Sequence, residues 1–279
     1  MDREALMNAA TPEWLSVRQG QSRLIVSIPH AGTELAHIGH RLHSAWLARM
    51  DADWWVDRLY DFATECDATI IATSISRTVI DVNRDTSSRS LYPGMATTDL
   101  IPRTTFDGIA LYQDGREPDA AERQQRQEDF YDPYHATLRA EVERVRSLHG
   151  SVVLYDAHSI RSHVPRLFAG ELPIFNIGTY DGRSCAPEVS ATVERICRAS
   201  THSCVVNGRF KGGWITRAYG RPEEGVHAVQ MELACRAYMD EPSEPLSEAN
   251  WPPIYSFERA AATRDILRDV LEACVELEL

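Results

Sequence analysis

Short apolar runs alternate along this chain with stretches whose apolar residues recur at helical spacing, and no other feature constrains the fold as tightly. Leu24-Ile25-Val26-Ser27-Ile28 is a buried-strand run stopped by Pro29. Comparable strand runs are expected at 68–73, 78–82, 151–155, 173–177, 204–206 and 226–233. Between them, Trp54, Trp55, Val56, Leu59, Tyr60, Phe62, Ala63 and Cys66 follow a helical period. A second helix starts at Asp132-Pro133, because Pro suits the first turn and Asp can cap it. It presents Tyr134, Leu138, Val142, Val145 and Leu148 on one face and closes at Gly150. Val189, Val193, Ile196 and Cys197 mark a further helix, and Ile266, Leu267, Val270, Leu271 and Cys274 the apolar face of a last one near 256–277.

Such alternation predicts an α/β fold, a sheet covered by helices on both faces. No repeat, low-complexity run or Pro/Gly/Ser-rich linker divides the chain, so a single domain over 1–279 is expected. Ligands on such sheets collect beyond the carboxyl ends of the strands, which directs attention to the polar residues after each run. Residues 85–125, rich in Arg, Thr, Gly and Pro, show little periodicity. A loop that long is either a functional lid or disordered.

Charge and cysteine usage narrow the class. The net charge is -12, from 29 basic and 41 acidic residues among 279. Such a chain repels phosphate backbones, so nucleic acid is not an expected partner. No run approaches the roughly 18 to 20 apolar residues that cross a bilayer, and Met1 to Glu13 lacks a signal-peptide layout. The six cysteines form no CxxC pair and read as reduced thiols. The expectation is a cytoplasmic protein whose oligomeric state stays open.

Three groups of residues carry chemistry. His30 follows the first strand, beside Ala31-Gly32, and His158 ends another in Tyr155-Asp156-Ala157-His158-Ser159. Asp51-Ala52-Asp53 places carboxylates before a helix. Two imidazoles and a carboxylate with an open position form a catalytic zinc shell. Asp156, two residues from His158, then supports a ligand rather than binding metal. Either histidine taken alone is more often a hydrogen-bonded structural residue; finding both at strand ends sets the two readings level.

The second group is basic. Arg77 and Arg84 flank the 78–82 run, and Asn83 with Arg84 offers amide donors and a planar fork suited to a carboxylate. Arg209, Lys211 and Arg217 lie in a glycine-containing segment that reads as an anion-closing loop or as a solvated turn. The third is Glu232, in the apolar run Val229-Gln230-Met231-Glu232-Leu233. Buried, its pKa would rise toward the range of a general base; on an edge strand it would face solvent.

The ordered set of strings, PHAG (29–32), DxNR (81–84), DAHSIRSH (156–163) and NGRFKGG (207–213), resembles the N-formylglutamate deformylase family. Matching segments at 51–61, 132–138 and 225–238 extend the likeness over nearly the whole chain. That family is distantly similar to aspartoacylase and the zinc carboxypeptidases, which implies a central mixed sheet flanked by helices. The resemblance implies hydrolysis of N-formyl-L-glutamate to formate and glutamate, a step of histidine degradation. It implies one divalent ion, zinc foremost with cobalt, manganese or iron as substitutes, on His30 and His158. Glu232 would be the base, Arg77 the oxyanion donor, and Asn83 with Arg84 the holder of a substrate carboxylate. Arg209, Lys211 or Arg217 would hold the second carboxylate of this acidic small molecule.

The carboxypeptidase pattern has glutamate three residues after its first histidine, where this chain has Thr33. Asp53 is therefore expected as third ligand, with Glu34 as the substitute. Two competing expectations remain: an amidohydrolase of another N-acyl amino acid or small peptide, and a non-catalytic protein of the same fold that binds an acidic metabolite.

Overall fold

In the computed structural model, which describes residues 11–87, 94 and 96–279, seven strands form one mixed sheet. They are β1 (Leu15–Arg18), β2 (Leu24–Ile28), β3 (Thr69–Thr73), β4 (Val152–Ile160), β5 (Phe175–Gly178), β6 (Cys204–Val206) and β7 (Val226–Ala234). Their order is β1-β3-β2-β4-β7-β5-β6. β3, β2, β4 and β7 run parallel. β1 and β5 pair antiparallel with β3 and β7, and β6 lies parallel to β5. Every residue of β4 and β7 is buried, as befits central strands covered on both faces.

Because successive side chains alternate, each strand feeds two cores. Leu24, Val26, Tyr155, Ala157 and Met231 belong to one, shared with the helices Pro187–Ala199 and Phe257–Glu276. Ile25, Leu154 and Ala228 belong to the other, beneath Tyr134, Leu138, Val142 and Val145 of the helix Asp132–His149. On this second face the carboxyl halves of the strands turn polar. Ser27, Asp156 and Gln230 are in register across β2, β4 and β7. One step further on, His158, Glu232 and Asn176 are in register across β4, β7 and β5.

Several local expectations differ from the outcome. The 78–82 run is no strand: it forms turns, with Val79 N–H bonded to Ser76 O and Asp81 N–H to Leu100 O. Its apolar residues are buried because Val79 enters one core and Ile80 and Val82 the other, which mimics strand patterning without a ladder. The helical period at 54–66 breaks into Val56–Leu59 and a 3-10 turn Asp61–Thr64, after Trp55 in the left-handed region. The α-helix Asp132–His149 does begin at Asp132-Pro133, with Pro in its first turn, but Asp132 caps no free end: a helix Ala120–Arg126, capped by Asp119, and a π turn at Gln127–Tyr131 lead into it without a break. Pro133 has no N–H for an i-4 carbonyl, and the preceding π turn falls where that bond is missing. Leu148 is 57% exposed and lies off the apolar face. β1 has no counterpart among the expected strands.

Residues 1–10, 88–93 and 95 lie outside the described residues, and with them most of the polar N-terminus and part of the 85–125 loop. The described part of that loop is packed, with Leu100, Ile101, Phe106, Leu111 and Tyr112 buried. Among the described residues no helix is long and apolar enough to cross a membrane.

The turn after β2 sets the position of His30. The backbone of Glu34 bridges Ile75 beyond the end of β3, with Glu34 N–H to Ser74 O at 2.8 Å. This close approach leaves no room for a Cβ at Gly32, which would lie 2.4 Å from Ser74 C and 2.5 Å from Ile75 O. Gly32→Ala is therefore expected to destabilise the fold by about 1–3 kcal/mol, read as a lower urea midpoint. Gly39→Ala is the control, since nothing lies within 4 Å of its added Cβ.

Candidate metal and hydrolytic site

Three chain segments meet at the polar end of the sheet. His30 leaves β2, His158 sits in β4, and Asp53 comes from the loop before the Val56–Leu59 helix. Asp53 is tied to both histidine segments through the backbone. Its N–H bonds His30 O at 3.0 Å, and its Oδ2 accepts the Ser159 N–H at 3.1 Å. One ligand atom from each of His30, Asp53 and His158 falls within 4.8 Å of the others, and all three residues are buried. Glu34, the substitute ligand, is exposed and stands outside this group.

The outer nitrogens of both imidazoles face carboxylates. His30 Nε2 lies 2.7 Å from Asp81 Oδ1, and His158 Nε2 lies 3.1 Å from Asp156 Oδ2. The His30 arrangement favours a proton on Nε2 and turns Nδ1 inward toward Asp53 at 3.7 Å; His158 Nε2 also faces the Asn83 Nδ2 donor at 2.8 Å, and its Nδ1 lies 3.0 Å from Asp53. A carboxylate behind each histidine is the pattern that orients metal-binding imidazoles. Two buried atoms in the middle, His30 Nδ1 and Asp53 Oδ1, have no hydrogen-bond partner. A buried polar atom without a partner is costly, and a cation between these groups would satisfy both. The donor set fits a divalent ion of the zinc type.

Electrostatics point the same way. Burial would raise the Asp53 carboxyl, but the His158 and His30 imidazoles outweigh it and hold it below the carboxylate range. Asp81 is held well below that range too: Arg77 and then His30 overcome the cost of burial. Burial would lower His158, yet Asp156 and Asp53 keep it well above the ordinary histidine value. Glu232, 8% exposed, is pushed up to about 8, chiefly by burial. Asp53, Asp81, Asp156 and Glu232 set four carboxylates against the guanidiniums of Arg77 and Arg84. The remaining charge calls for protons or for a dication.

Arg77 is buried, with Nη2 2.6 Å from Asp81 Oδ2 and Nη1 3.6 Å from Asp53 Oδ1. Its guanidinium lies over the Phe106 ring, 4.9 Å from the centroid. Together with His30, His158 and Glu232 it lines a cleft of about 590 Å³, measured to include its open side. Asn83, Arg84 and Arg209 line the same cleft. Arg84 donates to Thr98 O (3.0 Å), Thr98 Oγ1 (2.7 Å) and Asn83 O (2.9 Å). Arg209 donates to Leu167 O and Ala96 O.

The other expected anion-binding residues divide: Asn83 lines the cleft with its amide engaged, and Lys211 and Arg217 lie outside it. The Asn83 amide is engaged at both ends: Oδ1 accepts the Ile215 N–H at 2.8 Å, and Nδ2 lies 2.8 Å from His158 Nε2 and donates to Asp156 Oδ2 at 3.3 Å. Lys211 pairs with Asp181 at 3.0 Å. Arg217 donates to Gly212 O and lies over the Tyr180 ring. Phe106, Thr98 and Gln230 line the cleft although no sequence signal singled them out. Asp81 could have been found by the reasoning applied to Glu232, as a lone carboxylate within an apolar run.

Comparisons with known proteins identify the family. The family model described as N-formylglutamate amidohydrolase matches residues 22–239. An N-formylglutamate deformylase of Pseudomonas aeruginosa is 46% identical over 263 residues, covering 94% of this chain and 96% of the relative. One from Pseudomonas putida is 44% identical over 261 residues, covering 93% and 94%. The crystal structure of N-formylglutamate amidohydrolase from Ralstonia eutropha JMP134 superposes with a TM-score of 0.74 at 24% identity, covering 94% of this chain and 97% of that one. The chain belongs to the N-formylglutamate amidohydrolase family.

Proposed function

We propose that this protein hydrolyses N-formyl-L-glutamate to formate and L-glutamate, and that it uses one divalent metal ion, zinc foremost, held by His30, Asp53 and His158. The substrate reading rests on the family and on the names of its close relatives. The metal reading rests on one observation: His30 Nδ1 and Asp53 Oδ1 are buried without a hydrogen-bond partner, in a group that His158 completes.

A bound ion of this kind polarises a carbonyl oxygen and lowers the pKa of water from about 15.7 to about 7. The chain's own groups do the rest. Glu232, raised toward neutrality by burial, takes the proton from the attacking water. As the carbon–oxygen bond forms, Arg77 donates to the developing oxyanion. Asp81 and the Phe106 ring hold its guanidinium in place, so little reorganisation is needed at the moment of reaction. The carbon–nitrogen bond then breaks, and Glu232 returns its proton to the leaving amine of glutamate.

The two substrate carboxylates require cations. Among the described residues, Arg84 and Arg209 are the guanidiniums that line the cleft besides Arg77, and they are assigned to them. Asn83 takes a supporting part, since its backbone oxygen accepts from Arg84 and its amide is committed elsewhere. Hydrolysis of a different N-acyl amino acid is the competing reading. It is tested by measuring formate release from N-formylglutamate beside acetate release from N-acetyl amino acids.

Glu232→Gln is expected to lower kcat by about 10² to 10⁴ while substrate still binds. Near wild-type turnover of the metal-loaded variant would falsify the base assignment. Arg84→Ala is expected to raise KM about 10- to 100-fold, the loss of one charge-assisted contact, with kcat changed less. Purified protein should contain about one equivalent of metal by elemental analysis. Chelation should abolish formate release, zinc should restore it, and His30→Ala should arrive metal-poor. Full activity in protein free of metal would remove the metal reading and leave the substrate reading standing.

A further inference from the structure

Gln230 has no part in the reaction as described, yet it stands between the base and the loop that carries Arg209. It is 3% exposed, lies two residues before Glu232 on β7, and shares its face of the sheet. Its Oε1 accepts the backbone N–H of Gly213 at 2.6 Å, and its Nε2 donates to Glu232 Oε2 at 3.2 Å. The first contact decides the second. A backbone N–H can only donate, so the amide oxygen must face Gly213 and the NH₂ must face the carboxylate.

The far side of the same loop is fixed as firmly. Ile215 N–H donates to Asn83 Oδ1, and the Asn83 amide also touches Asp156 and the His158 imidazole. Gly213 packs so closely on that amide that an added Cβ would lie 2.5 Å from Asn83 Nδ2. The short segment 213–215 is thus clamped between two buried amides. One leads to the base, the other to a metal-binding imidazole.

We infer that Gln230 is a positioning residue: it fixes the rotamer of the Glu232 carboxylate and keys to it the 207–213 loop at the start of the helix Trp214–Tyr219, so that the base and the Arg209 anion contact are set together. This rests on the reading of Glu232 as base. A carboxylate that must receive a proton from one side and deliver it to another needs a defined orientation, and Gln230 donates to one of its oxygens only.

Two variants test this in the metal-loaded enzyme. Gln230→Glu keeps the size and the acceptor for Gly213 but replaces the donor to Glu232 with an oxygen. The expected result is a kcat about 10- to 100-fold lower with KM within about twofold. Gln230→Met removes both contacts, so kcat falls similarly and KM rises as well, because the loop bearing Arg209 is released. Wild-type kcat in either variant, with a thermal melt showing it folded, overturns the inference. A fall in KM performance alone, with kcat intact in both, also overturns it, since that would make Gln230 a loop residue only. The outcome is separable from the base assignment. Activity retained in Glu232→Gln refutes the base, whereas activity lost there but retained in the Gln230 variants refutes only the positioning role.

Discussion

Asp53 Oδ2 sits between two inward-facing imidazole nitrogens and beneath the Ser159 N–H, in a region nearly closed to water, and the surrounding architecture follows from that arrangement. Removing ionised groups from water costs several kcal/mol each unless each finds strong partners. The cluster meets this demand by sharing. Asp81 serves His30, Arg77 and the Asn83 N–H; Asp156 serves His158, Ser27 and Asn83. Because the partners come from β2, β4, the loop before the Val56–Leu59 helix and the loop after β3, none of these segments can shift without leaving a buried charge exposed. Hydrophobic residues of like volume would give an easier core. A polar cluster this dense is therefore retained for chemistry rather than for stability.

The sheet makes the arrangement possible by changing character along a single face. Under the Asp132–His149 helix the strands present Ile25, Leu154 and Ala228. Two or four residues later the same face presents Ser27, Asp156, His158, Gln230 and Glu232. The strands continue without a break, so backbone hydrogen bonding is satisfied by the ladder and the side chains are held at fixed spacing. Tyr134 joins the two regions. Its ring lies in the apolar core, and its hydroxyl reaches Ser27 Oγ at 2.9 Å, which in turn donates to Asp156. The apolar packing of the helix is thereby connected to the group that orients His158.

What could be read from the sequence divides along a physical line. Runs whose backbone and side chains agree, such as Leu24–Ile28 and Val226–Ala234, announced themselves, and so did the polar residues at their carboxyl ends. His30, Asp53 and His158 converge because the parallel order of β2 and β4 brings strand ends together, a consequence of fold class. Thr78 to Val82 misled because burial and strand pairing leave the same apolar pattern, and only tertiary context distinguishes a packed turn from a ladder. Lys211 and Arg217 carried the right charge, but composition cannot say which way a loop faces; Asp181 and the Gly212 carbonyl drew them aside. The engagement of Asn83 by Ile215 is likewise a long-range contact, 132 residues apart, with no local trace.

The overall charge of -12 is at first sight a poor match for a substrate with two carboxylates. Screening resolves the difficulty. At physiological ionic strength exposed charges are felt over only about 8 Å, so most of the acidic surface is invisible to an anion already at the cleft mouth. Inside, the low-dielectric walls reduce that screening, and Arg77, Arg84 and Arg209 line the cleft beside carboxylates whose excess charge a bound dication would offset. Those guanidiniums are already held, Arg77 by Asp81 and Arg84 by Thr98 and the Asn83 carbonyl, so they lose little conformational freedom when an anion arrives. A carboxylate that replaces a neutral carbonyl as partner adds a second charge to a bond whose donor is already ionised, and its two oxygens match the guanidinium fork. Selection for a small dianion thus arises from a few oriented cations in a confined space, and the net charge of the protein has little say in it.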